Sequence, residues 1–193
     1  MKFIGFYDYT VILTYISLIS AFVGMCLAGQ GSFGGAIVCL LISGICDAFD
    51  GTVARSKKNR TEDEKAFGIQ LDSLCDVVSF GIFPAYVLHC MGVQGALGIT
   101  ILSLYCVCAV IRLGFFNVQE AKRQQVEDGC GKFYRGLPVT TMSMLLPVVY
   151  LIRLVLPGKV FRWILYILPA VVGFLFILDF RIKKPDMTKI FSK

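Results

Sequence analysis

The chain has 193 residues, 56% of them hydrophobic and 17% charged, with a formal net charge of +6 and a mean hydropathy of +0.74. Ordinary soluble domains are about 45–50% apolar and about 25% charged, so the composition excludes a soluble enzyme and points to lipid. The positive balance needs no nucleic acid, because anionic lipid headgroups account for it.

A membrane helix takes about 20 mostly apolar residues. Six windows qualify, at 9–29, 33–54, 67–89, 94–118, 136–156 and 160–180. They predict an all-α integral membrane protein of six transmembrane helices, a single domain over 1–193. The opening "MKFIGFYDY" is short and aromatic-rich, and reads as an interfacial lead-in where Tyr and Phe rings are favoured. The first window is too long, and lacks the small-residue cleavage site, for a removed signal peptide. Between windows, "GQGS" and "CMGV" are short enough to close tight hairpins.

Most of the 19 Lys and Arg fall on one side: Lys2, the loop 56–66 with its neighbour Arg55, the loop 119–135, and the tail from Arg181. Such an excess marks the cytoplasmic side. Both termini and both charged loops are therefore expected in the cytoplasm. The opposite side holds Arg153, Lys159 and Arg162, and Arg112 is an unpaired cation inside the fourth window. Eight cysteines are scattered without a CxxC, and His89 is the one histidine. That leaves small packing residues in a reduced protein, and no means of building a zinc or haem site or a His-based nucleophilic centre.

The costly residues are acids. "DAFDGTVAR" (47–55) closes the second window and "GIQLDSLCD" (68–76) opens the third. Asp47 and Asp50, and Asp72 and Asp76, are spaced to share a helix face, with about 5–6 Å between Cβ atoms. Both pairs belong to the same membrane surface, so they can form one four-carboxylate cluster. A mid-span Asp costs roughly 2.5–3.5 kcal/mol, so the cluster calls for compensating positive charge. Hard divalent cations such as Mg²⁺ prefer carboxylate oxygens, and two would neutralise the site. The competing reading makes the acids helix-end caps or members of isolated ion pairs. It suits Asp72 near a helix start but not Asp47 and Asp50 near a helix end. Gly51, Ala54 and Gly68 let a ligand approach the backbone, and Arg55 can grip a phosphate.

Written out, the stretch is Asp47-x2-Asp50-Gly51-x2-Ala54-Arg55, then Gly68-x3-Asp72-x3-Asp76. It resembles the signature of the CDP-alcohol phosphatidyltransferase family, membrane enzymes that cleave a CDP-linked pyrophosphate and release CMP. The longer spacing here, residues 56–67, falls in the charged loop and puts roles for Lys57, Lys58 and Lys65 in doubt. The segments "VVSFGIFPA", "IRLGFFNV" and "FYRGLPVT" resemble the serine-using branch, although Gly114 and Phe115 replace the usual Ala-Arg. Ser73 and Val77 stand where the glycerophosphate-using branch has Pro and Lys.

The resemblance implies a six-helix homodimer that transfers the phosphatidyl group from CDP-diacylglycerol in the bilayer to L-serine, on the cytoplasmic side. Asp47, Asp50 and Asp72 would be ligands to Mg²⁺ or Mn²⁺, with Asp76 both ligand and general base. Gly51, Ala54, Arg55 and Gly68 would line the CDP site, and Thr10 and Thr14 would either touch the nucleotide or bond to their own backbone. For the acceptor, Arg112 is the leading candidate, with Ser79, Asn117 and the 136–138 segment behind it. A charge partner for the aspartates is the other reading of Arg112. The alternatives are another acceptor (glycerol phosphate or inositol phosphate), an archaeal lipid donor, or a different class: a cation channel or transporter whose carboxylates bind the transported ion.

Overall fold

The structure, a computed structural model, describes residues 4–57, 60–125 and 133–183. A 3₁₀ turn, Tyr9–Val11, leads into α1 (Ile12–Gly29), and α2 (Phe33–Ser56) returns after a tight connection in which Gly31 takes φ +79°. Only glycine enters that region cheaply. Next come α3 (Glu62–Asp76), a π-helical stretch (Val77–Ile82) and α4 (Phe83–Cys90), stacked as one continuous rod. The long α5 (Gly95–Gln125) follows, then α6 (Met142–Ile152), entered through a 3₁₀ turn at Val139–Thr141, and α7 (Gly158–Ile177).

Among the described residues, five helices are long and apolar enough to cross a membrane: Tyr9–Gly29, Phe33–Ala54, Glu62–Cys90, Gly95–Gln119 and Gly158–Ile177. The sixth window, 136–156, delivers the shorter apolar helix Val139–Ile152, with Pro147 inside it. At 1.5 Å per residue it extends about 21 Å, against a hydrocarbon core of about 30 Å. The all-α expectation needs one small correction. β1 (Phe133–Arg135) pairs antiparallel with β2 (Arg181–Lys183), in the register Tyr134 opposite Ile182. Pro138 disfavours helix at Leu137, and Gly136 at φ +71° turns the chain so that its N–H reaches the Phe180 carbonyl at 2.6 Å.

The third window also begins earlier than apolarity alone predicts. Thr61 and Glu64 close a reciprocal capping box: the Thr61 hydroxyl accepts from Glu64 N at 3.2 Å, and the Glu64 carboxylate accepts from Thr61 N at 2.9 Å. Glu62, Asp63 and Glu64 in that first turn suit the positive end of the helix dipole. Much of the charged 56–66 loop is therefore the first turn of α3.

In lipid, helices pack through small residues and close backbone approach. The pairs α1 with α2 and α5 with α7 form the broadest contacts, and α1 also meets α4 and α2 meets α6. At Gly24 of α1, the space a Cβ would need is filled by the Phe83 ring and Cys39. Phe80, Phe83, Leu88 and Tyr105 are fully enclosed, whereas Ile19, Phe22, Leu97 and Trp163 face outward. Pro84 has no N–H to give the carbonyl four residues back. That carbonyl, of Phe80, accepts the buried Tyr105 hydroxyl at 2.5 Å, tying the rod to α5.

Candidate metal centre and active site

Asp47 and Asp50 lie one turn apart on α2, and Asp72 and Asp76 one turn apart at the end of α3. Asp47, Asp50 and Asp72 each present a carboxylate oxygen, all within 4.8 Å of one another. Asp76 meets Asp47 side chain to side chain, and Asp72 meets Asp50 in the same way. The four acids thus converge as the spacing predicts. The capping alternative fails on position, because α3 starts at Glu62, under a Thr61 cap. Two unit charges 4 Å apart repel by about 4 kcal/mol at an effective dielectric near 20. A hard cation takes carboxylate oxygens at roughly 2.0–2.6 Å, which places two ligands of one ion up to about 5 Å apart. The donor set and its span therefore fit a divalent cation.

Asp50 is only 9% exposed, and the Thr14 hydroxyl donates to it at 3.5 Å. Immediately after Asp76 the helix widens into its π stretch, a departure common at functional sites. Beside the acids is a cavity of about 150 Å³, with Asp50, Asp72, Gly51, Ala54 and Gly68 in its walls. Thr10 and Thr14 line it too, and neither hydroxyl bonds to its own backbone. Thr10 is bonded through both N–H and hydroxyl to Asp8, while Thr14 turns to Asp50. Arg55 follows in the last turn of α2, and its side chain lies outside the described residues.

The acceptor candidates separate. Arg112 is 7% exposed, and its Nε donates to the Leu137 carbonyl at 2.9 Å, so it is not an unpaired cation. It lines a second cavity, of about 240 Å³, with Phe115, Gly136, Phe176 and Asp179. This cavity and the acidic one have no lining residue in common. Ser79 is buried in the π stretch with its hydroxyl 3.3 Å from that of Ser17, a helix-to-helix contact. Asn117 accepts the Ser73 hydroxyl at 2.9 Å and so braces α5 against α3 beside Asp72. Neither Ser79 nor Asn117 lines either cavity.

Three features escaped the sequence reading. Arg60 and Lys65 stand in the wall of the acidic cavity. Asp179 stands in the wall of the other; it follows an apolar span and precedes a basic tail, and no motif marks it. Asp8, Lys57 and Glu64 form an ion chain, at 2.8 and 3.2 Å, joining the start of α1, the end of α2 and the first turn of α3. The Lys57 ammonium, helped by Thr10, holds the Asp8 carboxyl at about 2 against an ordinary 3.8. Lys57 therefore has a structural role.

The fold and site define a helical membrane protein with a carboxylate centre beside a small-residue cavity. A family model, CDP-alcohol phosphatidyltransferase, matches residues 9–175, and the chain belongs to that family. It is 38% identical over 116 residues to a CDP-diacylglycerol--serine O-phosphatidyltransferase of Saccharomyces cerevisiae, covering 58% of this chain and 41% of that protein. It is 31% identical over 141 residues to an archaetidylserine synthase of Methanothermobacter thermautotrophicus, covering 72% and 56%. A third relative, a CDP-diacylglycerol--serine O-phosphatidyltransferase of Methanocaldococcus jannaschii, is 30% identical over 132 residues, covering 68% and 56%. The chain spans about half the length of these curated relatives. No solved structure matches it significantly.

Proposed function

We propose that the chain transfers the phosphatidyl group of CDP-diacylglycerol to the hydroxyl of L-serine, giving phosphatidylserine and CMP. The observation that carries this is the convergence of Asp47, Asp50, Asp72 and Asp76 beside a cavity walled by Gly51, Ala54 and Gly68. The names of the relatives support serine as acceptor. The four aspartates would hold Mg²⁺ or Mn²⁺, two ions in the full site, and a bound cation supplies neutralisation of phosphoryl charge.

Asp76 takes the serine hydroxyl proton as the oxygen attacks the diacylglycerol-bearing phosphorus. The new serine O–P bond forms as the bond to the CMP oxygen breaks, and CMP leaves carrying that oxygen. Gly51, Ala54 and Gly68 let the nucleotide lie close to the backbone, and Arg55 grips a phosphate. Arg112, fixed by the Leu137 carbonyl, receives the serine carboxylate. A structural role is the better reading of Ser79 and Asn117.

The single domain crosses the membrane six times, with Val139–Ile152 completing the set, both termini and the site cytoplasmic, and a second copy making a homodimer. The archaetidylserine synthase relative favours a second reading, the same acceptor with an archaeal lipid donor.

Purified protein given CDP-diacylglycerol, Mg²⁺ or Mn²⁺ and a panel of alcohols should release CMP with serine alone and stop with EDTA. Consumption of glycerol phosphate instead of serine would overturn the acceptor. A preference for the archaeal CDP-lipid would select the second reading, and no CMP release with any acceptor would revive the transporter alternative. In intact cells an impermeant thiol reagent should label Ser32→Cys and miss Cys130, which lies outside the described residues; labelling of Cys130 would reverse the orientation.

A further inference from the structure

Arg60, between α2 and α3, belongs to none of the signature positions. Its guanidinium lies over Gly68: a Cβ built there would stand 2.6 Å from Nη2 and 3.7 Å from Cζ. Glycine at 68 thus leaves the room that the guanidinium fills. Nη2 donates to the Glu64 carbonyl at 3.0 Å, which ties the side chain to the first turn of α3. Nε is buried and has no hydrogen-bond partner among the described residues. Nor does Arg60 form an ion pair among them; the neighbouring Lys57 and Lys65 do, with Asp8, Glu64 and Glu62.

A buried guanidinium N–H without a partner is expensive to keep, and a guanidinium offers five donors in a planar fork. It lines the 150 Å³ cavity together with Asp50 and Asp72. Carboxylates and a guanidinium lining one cavity suit a phosphate, whose oxygens can face a carboxylate-held cation and the fork at once.

We infer that Arg60 binds a phosphate oxygen of the CMP half of the donor, and that Gly68 is small because Arg60 occupies the space above it. This rests on reading the cavity as a CDP-lipid site. It adds a nucleotide contact outside the signature and gives Gly68 a reason in side-chain space as well as ligand space.

The test is CMP binding to the full-length protein with Mn²⁺, by calorimetry, together with KM for CDP-diacylglycerol and for serine. Arg60→Ala should weaken CMP roughly 10- to 100-fold, as expected for a charge-assisted hydrogen bond. KM for the donor should rise in step, with KM for serine moving less than about twofold. Arg60→Gln keeps a donor for the Glu64 carbonyl without the charge, and should lose as much; it decides the matter if the alanine variant does not fold. Unchanged CMP affinity in either folded variant overturns the inference. Gly68→Ala should weaken CMP in the Arg60 protein and add little in the Arg60→Gln protein; equal losses in both would overturn the account of Gly68. A parent protein that binds no CMP would defeat the CDP-lipid reading itself, a result distinct from a variant that binds CMP normally.

Discussion

The acidic cavity and the cavity at Arg112 are built from the chain in opposite ways. The first takes its walls from the start of α1 and from the stretch Asp50 to Asp72, across one helix turn-around. The second gathers Arg112 from α5, Gly136 from the approach to α6, Phe176 from α7 and Asp179 beyond it. One gathers two acids, Asp50 and Asp72, and two cations, Arg60 and Lys65, from adjacent helices and their connection; the other sets a buried cation in one cavity with an acid about seventy residues away in sequence. Chemistry that holds a cation and a leaving nucleotide can sit in a local motif. Under the proposed assignment, recognition of the small acceptor depends on distant helices meeting.

The widest difference between the two should appear in turnover. Asp76→Asn keeps the shape of the acidic site but removes the group proposed to take the serine proton. It should lower kcat roughly 10²–10⁴-fold while CDP-diacylglycerol still binds, read as CMP release against donor binding. A near-normal rate would move the base elsewhere. At the second cavity, Arg112→Leu should raise KM for serine roughly 10-fold or more, with KM for the donor little changed, as expected for a lost charged hydrogen bond. Equal changes in both constants would make Arg112 a partner of the acidic site and erase the division of labour.

The same contrast explains what the sequence disclosed. The four aspartates and the three small residues were legible because their geometry is set within a helix turn and across one hairpin, whereas the Thr14 hydroxyl turns to Asp50 and not to its own backbone. The surroundings of Arg112 were not, because the Leu137 carbonyl and Asp179 reach it only through the packing of α5, α6 and α7. Hydropathy found five spans within a few residues at most ends, but missed the start of α3, which a Thr61–Glu64 capping box fixes through polar atoms that hydropathy treats as loop. It also overextended the window 136–156, where Pro138 and Gly136 hold the chain out of helix. Ser79 and Asn117 are polar residues near the right acids, and only the packing shows that they bond to neighbouring helices.

A smaller effect separates the apolar half from both cavities. Tyr105→Phe leaves the Phe80 carbonyl, freed by Pro84, without its donor. It should cost about 1–3 kcal/mol of stability in a thermal-unfolding measurement, as for a buried unsatisfied polar group, with KM for both substrates unmoved. A changed KM would mean that this buried seam reaches the sites.

The smallest effect lies at the rim of the acidic cavity. Asp8 titrates at about 2, below its ordinary 3.8, so the stability it contributes is present above pH 3.8 and lost as pH falls through about 2. Lys57→Met should move the Asp8 titration back toward 3.8 in a carboxyl NMR experiment. The stability difference between parent and variant should shrink over that same interval. An unmoved Asp8 would assign its low value to Thr10 alone.

The measurement that tests the acidic centre most directly is Mn²⁺ binding to the purified full-length protein, followed by electron paramagnetic resonance, in the parent and in Asp50→Asn and Asp72→Asn. The account predicts saturable Mn²⁺ binding in the parent, strengthened by CMP, and its loss in both variants while the helical content stays intact. Equal Mn²⁺ binding in all three proteins, or none in the parent, would contradict it.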